Sequence, residues 1–343
     1  MEIFRLSQKI RYPSKSVYRF SKVQEKKAIW NERNEFGEAI QEEVISDSAM
    51  EAAKAVTVLA EYKIGEIRLE YLLSNGPGDA SPLEEKLFCG YFNTWKQLWS
   101  MRGNIPFDKN LLERLTENLF SFMDDPSGTV HFRKPSDAKD RFLPDLEDPS
   151  GLPRIEEKLS ELMAQTDNRL NAGEHPLVII PLFLAGFFHL RPYSDFNLYI
   201  SMLLTQFLML HCEYYGILVL PLEKIFAFNS NRFKVALGHG CQVAAGLHES
   251  PEQLLKFFLK TVDKSLDHGL ETKVAQLPKA EEMHPLEKQV IQLLKETENL
   301  KIAQMLESTG ANRSTLKVHL KKLCEGGYIV QHGQRKGSFY SLP

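Results

Sequence analysis

Two apolar runs of helical length, Leu177 to Leu190 and Leu198 to Cys212, flank a short polar stretch, Arg191 to Asn197. The spacing predicts two helices joined by a loop, and the loop holds the residues on which chemistry would depend. Neither run is a membrane span. The longest apolar tract, Pro176 to Phe188, is too short to cross a bilayer and is interrupted by Pro181. With 343 residues and 43% hydrophobic content, the chain can bury substantial cores and is expected to hold two or three domains. Met1 to Phe20 is polar and basic, unlike a signal peptide. Cys89, Cys212, Cys241 and Cys324 are scattered without metal or redox spacing. Both observations fit a cytoplasmic protein with reduced thiols and no membrane contact.

The loop reads Arg191-Pro192-Tyr193-Ser194-Asp195-Phe196-Asn197-Leu198-Tyr199. It resembles the signature of the Fic family of nucleotide transferases, His-Pro-Phe-x-Asp-Gly-Asn-Gly-Arg. Pro192, Tyr193, Asp195 and Asn197 fit. Arg191 stands in place of the His, Phe196 and Leu198 in place of the two glycines, and Tyr199 in place of the Arg. Each change has a physical cost. The resemblance implies that the His is the base taking a proton from a target hydroxyl. Arginine keeps its proton and has no acceptor, so it can hold a phosphate but cannot serve as base. Side chains of Phe and Leu size obstruct backbone N–H groups that would wrap an anion at a helix N-terminus. Tyrosine lacks the charge and fork that grip a diphosphate.

What the resemblance leaves is Asp195, the family's Mg²⁺ ligand, and Asn197, which shapes the loop and contacts phosphate. With Arg191 they form a reduced candidate set for ATP or another nucleotide. A competing reading has Asp195 cap the following helix. His189 and His131 are the two residues available as a displaced base, though His189 ends an apolar run and reads better as a packed histidine.

The order of surrounding elements supports the resemblance over Glu51 to Leu266. Gly128 to Arg133 alternates as a short hairpin or flap would, and offers a place for a protein partner. A Pro-rich connection, Pro144 to Pro153, precedes a helical stretch, Leu152 to Leu170. His175-Pro176 opens the first apolar helix. Asn229 to Leu237 is similar to the family's Asn-Arg-x-x-Tyr-Tyr-x-Ala-Leu stretch. Many Fic proteins also carry an inhibitory helix of the Ser-x-x-x-Glu-Gly type. Counted from Glu61, that pattern puts Gly65 where the Glu belongs and Glu66 one residue late, turned by about 100° on a helix.

The C-terminus changes character. From His284 onward there are 9 Lys+Arg against 5 Asp+Glu, whereas the preceding residues have 33 against 40. A basic module on an acidic body points to nucleic acid. Leu286, Val290, Ile291 and Leu294 share one helical face, and Leu300, Ile302, Ala303 and Leu306 suggest a second helix. Gly310 suits a left-handed turn and Asn312 an N-cap. A third helix, Arg313 to Glu325, buries Leu316, Leu320 and Leu323 and presents Arg313, Ser314, Thr315, Lys317, Lys321 and Lys322. After Gly326-Gly327, two strands, Tyr328 to His332 and Lys336 to Ser341, meet at a basic tip with Arg335 and Lys336. This resembles a winged helix that docks in the major groove of double-stranded DNA.

The expected architecture is therefore mainly α: a Fic-like helical bundle with a small β-hairpin flap, and a C-terminal winged helix of α+β type. Boundaries are expected at 1–50 (an N-terminal segment), 51–275 (Fic-like), 276–285 (linker) and 286–343 (winged helix). Two functions compete. One is a catalytically degenerate Fic-fold regulator or scaffold that binds DNA, as a homodimer. The other is an active nucleotidyltransferase that modifies protein hydroxyls with a non-standard base.

Overall fold

Both apolar runs are helices, and the stretch between them is a sharp turn. In chain order the elements are α1 (Ser14–Arg33), α2 (Glu38–Leu59), α3 (Glu66–Asn75), α4 (Leu83–Met101), α5 (Lys109–Leu119), α6 (Ile155–Asn171), α7 (Pro176–Leu190), α8 (Asn197–His211), α9 (Leu222–Phe228), α10 (Ser230–Ala244) and α11 (Glu252–Glu271). There follow α12 (Pro285–Glu296), β1 (Leu300–Lys301), α13 (Ile302–Thr309), α14 (Arg313–Glu325), β2 (Val330–His332) and β3 (Phe339–Ser341). The computed structural model describes residues 4, 14–33, 38–76, 78, 80, 82, 83–101, 105–125, 130–134, 137, 142–143, 154–248, 250–271, 284–297, 299–325, 328–333 and 338–342. Two compact units divide the chain: Met1–Ala28 with Ile45–Gly269, and Ile29–Val44 with Leu270–Pro343.

In the first unit α7 and α8 form the centre. His175 caps α7, its Nδ1 accepting from the Leu177 N–H at 3.2 Å. Pro176 follows in the first turn, where a missing N–H costs nothing. The helix continues through Pro181. It packs against α6 and α10, while α8 lies against α7, α4 and α5. Apart from Pro176 and His189 every residue of α7 is buried, and apart from His211 every residue of α8. A helix apolar all round belongs inside, and each Leu or Phe so buried contributes about 1.5–3 kcal/mol. The helices approach closely where side chains are smallest: a Cβ on Gly90 of α4 would sit 1.9 Å from the Leu119 carbonyl oxygen at the end of α5.

The second unit carries the C-terminal helices and a three-stranded sheet of order β1-β3-β2, antiparallel throughout. Leu286, Val290 and Leu294 of α12 meet Leu316, Leu320 and Leu323 of α14 in its core, as their spacing predicts. Two expectations need correction. Leu300 is not helical; it pairs with Tyr340 in β1, and α13 starts only at Ile302. The later start shifts the helical phase, so Met305 is the buried residue and Ala303 is exposed. The tip residues Arg335 and Lys336, Gly326-Gly327 and the Pro-rich connection lie outside the described residues, as do Gly128 and Thr129 of the flap.

Candidate functional site

The loop between α7 and α8 is built on two left-handed residues that are not glycine. Arg191 ends α7 with φ 43°, its N–H bonded to the Phe187 carbonyl, and Phe196 begins α8 with φ 62°. Asn197 closes the loop on itself: its Oδ1 accepts from the Tyr193 N–H at 3.1 Å and its Nδ2 donates to the Tyr193 carbonyl at 2.9 Å. The flap segment lies beside this turn. Arg133 N–H donates to the Pro192 carbonyl at 2.8 Å and Ser194 N–H to the His131 carbonyl at 2.9 Å, so Phe132 and Tyr193 form an antiparallel bridge with stacked rings, 5.2 Å between centroids.

A cavity of about 230 Å³ opens against the loop, lined by Asp195, Phe196, Asn197, Leu198 and Tyr199, by Leu59 to Tyr62 after α2, and by Phe142. That is below the roughly 300–1,000 Å³ usual for ligand pockets. Phe196 and Leu198, on the signature's glycine positions, are buried in its wall. The Asp195 Oδ1 accepts from the Phe196 N–H at 2.8 Å, one residue outside the cap of α8. Tyr199 is buried, its ring edge-on to Tyr91 at 5.8 Å. Burial pushes its phenol far above the ordinary range, the Thr57 hydroxyl acting in the opposite sense. Arg191 is buried and is not among the lining residues, nor are His189 and His131. The His131 Nε2 faces the Asp137 carboxylate at 3.2 Å.

Among the described residues the lining thus carries two carboxylates, Asp195 and Glu61, and no Lys or Arg. Lys234 Nζ pairs with Glu61 Oε1 at 2.9 Å and lowers the pKa of that carboxyl. Such a lining repels a polyphosphate. Mg²⁺ is ordinarily held by one or two carboxylates plus substrate phosphates; Asp195 supplies a carboxylate, but among the described residues no lining side chain is a cation that would hold the phosphates. The described lining residues do not fit a Mg²⁺–nucleotide pair.

Glu61 was missed as a lining residue because the stretch reads as helix, and it is not one. α2 stops at Leu59. Tyr62 N–H then bonds the Thr57 carbonyl and Glu61 N–H the Val58 carbonyl, with Glu61 at φ 64° in the position a glycine normally takes. Gly65 caps α3 rather than lying within a helix. Counting from Thr57 instead of Glu61 gives a hydroxyl residue four before a Glu, the spacing that could have found it.

The candidate nucleic-acid surface lies on α14. Asn312 caps it, Oδ1 accepting from the Ser314 N–H at 3.1 Å, after a left-handed Gly310 at φ 65°. Arg313, Ser314, Thr315, Lys317, Lys321 and Lys322 are all exposed, and Val318 beside them is 65% exposed. The helix is anchored from behind by His319, whose Nδ1 lies 2.7 Å from Glu287 Oε1 of α12. Buried Glu287 also accepts from the His284 N–H at 2.9 Å and faces Lys322 Nζ at 3.5 Å. Burial alone would raise its pKa, but these partners, His319 first, bring it below the ordinary value.

Comparison with known proteins agrees with both halves. A family described as winged helix-turn-helix DNA-binding matches residues 283–330. A crystal structure of a Fic family protein from Desulfovibrio desulfuricans G20 is similar over 97% of this chain and 97% of its own, with TM-score 0.57 and 16% identity. A Fic domain containing signaling protein from Bacteroides thetaiotaomicron VPI-5482 is similar over 74% of this chain and 98% of its own, with TM-score 0.56 and 12% identity. No curated protein sequence matches. The chain has the fold of Fic proteins and ends in a winged helix. Among the described residues no helix is long and apolar enough to cross a membrane.

Proposed function

We propose that this chain is a cytoplasmic DNA-binding regulator, in which a Fic-fold body without transferase chemistry is joined to a winged helix that reads double-stranded DNA. The observation that carries it is the α14 surface: a capped helix with its leucines buried and a continuous face of Arg, Lys, Ser and Thr in solvent. Bases would be read by Arg313, Ser314 and Thr315 near the helix N-terminus, while Lys317, Lys321 and Lys322 neutralise phosphates. The body supports the same reading from the other side. Among the described residues no imidazole lines the motif cavity, Asn197 turns both ends of its amide to Tyr193, and the lining carboxylates oppose a nucleotide.

Selection of bound duplexes from a random library by the full chain, followed by anisotropy titration over a range of salt, tests it. Lys317→Ala with Lys321→Ala should weaken binding to every sequence and reduce the slope of log affinity against log salt by about 2. An unchanged slope refutes DNA docking through α14. Incubation with labelled ATP and a cell lysate should leave no label on protein; transferred label refutes the absence of transferase chemistry.

A further inference from the structure

Away from the motif loop, α9, α10 and α11 enclose a groove of about 630 Å³. Its floor is apolar, with Ile225, Ala236 and Phe257, and two large apolar side chains stand on its lip, Phe228 at 82% exposure and Val235 at 67%. Among the described residues four cations line it, Arg232 from α10 and Lys256, Lys260 and Lys264 from α11, and no acidic residue does. Lys256 pairs with Glu252 at 2.6 Å, and Lys264 lies over the Phe228 ring at 5.2 Å. Among the described residues no carboxylate lies within ion-pair distance of Arg232 or Lys260.

The basic lining contrasts with its setting, because the chain before His284 is acidic, 33 Lys+Arg against 40 Asp+Glu. The three lysines recur every four residues, so they form one stripe about 12 Å long. A single anionic headgroup would engage one or two of them. An amphipathic helix engages them all, laying apolar anchors along the floor and acids against the stripe. The open lip argues the same way, since a small ligand is mostly enclosed by its pocket whereas Phe228 and Val235 await a covering surface.

We propose that this groove docks an acidic amphipathic helix of a protein partner, with Phe228, Val235 and Phe257 receiving its apolar face and Arg232, Lys256, Lys260 and Lys264 its carboxylates. The proposal stands apart from the DNA reading, which rests on the other unit.

The probe is a fluorescein-labelled helical peptide with Leu at i, i+3, i+4 and i+7 and Glu on the flanks, titrated with the full chain by anisotropy. A peptide with Lys in place of Glu is the control. The Glu peptide should bind, the Lys peptide should not, and Arg232→Glu with Lys260→Glu should weaken binding by about tenfold or more. Both positions are exposed, and a circular-dichroism melt checks that the variant folds. Lys317→Ala with Lys321→Ala should bind the peptide as the parent does, which separates this groove from the basic face of α14. Absence of binding, equal binding of both peptides, or binding indifferent to the groove reversal overturns the proposal. Displacement of the peptide by sub-micellar dodecyl phosphate, lost in the same reversal variant, would assign the groove to a small amphiphile and also overturn it.

Discussion

Phe196 holds a backbone conformation that suits glycine, and substitutions there should invert the usual order of stability. Its φ is 62°, and its ring is 5% exposed, tilted on Phe120 at 5.6 Å and edge-on to Tyr199 at 6.5 Å. Truncation to Ala removes that burial at a cost of about 3–5 kcal/mol, and it keeps the left-handed strain, about 1–2 kcal/mol for a residue with a Cβ. Glycine loses the same ring but relieves the strain, less about 0.5–1 kcal/mol for its looser unfolded chain. Phe196→Gly should therefore be more stable than Phe196→Ala by about 0.5–1 kcal/mol. At a right-handed position Ala would win by a similar amount. Urea unfolding followed by tryptophan fluorescence, with Trp95 buried in the same unit, measures the pair. If Ala equals or exceeds Gly, the loop is not held in the left-handed conformation and the reasoning fails.

Two buried glutamates should respond to pH with opposite sign. Glu223 Oε1 accepts from Tyr91 at 2.7 Å and Trp95 at 3.1 Å, and burial raises its pKa. Its unfavourable ionisation sets in as pH rises through the folded value, so Glu223→Gln should stabilise the helical unit at pH 8 by on the order of 1–3 kcal/mol and change little at pH 4, read by urea midpoints. Glu287 has a folded pKa below its ordinary 4.5, so its contribution is full above that value and lost as pH falls through the folded one. Glu287→Gln should cost about 1–3 kcal/mol at pH 7 and speed hydrogen exchange in α12 and α14, with the gap closing in acid. Gly90→Ala should destabilise the helical unit by about 1–3 kcal/mol or more, because its Cβ would overlap the Leu119 carbonyl; an unchanged thermal midpoint would contradict the close approach of α4 and α5.

The parts legible in the sequence are those fixed by local rules. His175-Pro176, Gly310 and Asn312 mark helix ends through their own dihedral angles and hydrogen bonds, and the leucine spacing of α14 sets which face it buries. The illegible parts depend on distant partners or on a residue filling another's role. Leu300 is a strand only because Tyr340 pairs with it. Glu61 turns toward the cavity because it takes a glycine's place at the end of α2. Arg191 could be read as unable to act as a base, but its burial could not, since that follows from the fold around α7. The groove rim likewise joins Arg232 to Lys260 from separate helices.

The bridge between Phe132 and Tyr193 has a consequence for any polypeptide approaching the loop. Part of the loop's main chain is already paired with residues 131–133. That pairing is intramolecular, so an incoming strand competes with a neighbour present at an effective concentration on the millimolar scale. A strand that did not displace it would have to lie outside residues 131–133, at least about 4.8 Å farther out. At that remove its side chains would meet Phe132 and its neighbours before they met Asp195, and a visitor would reach the motif loop through an interposed segment of its own chain.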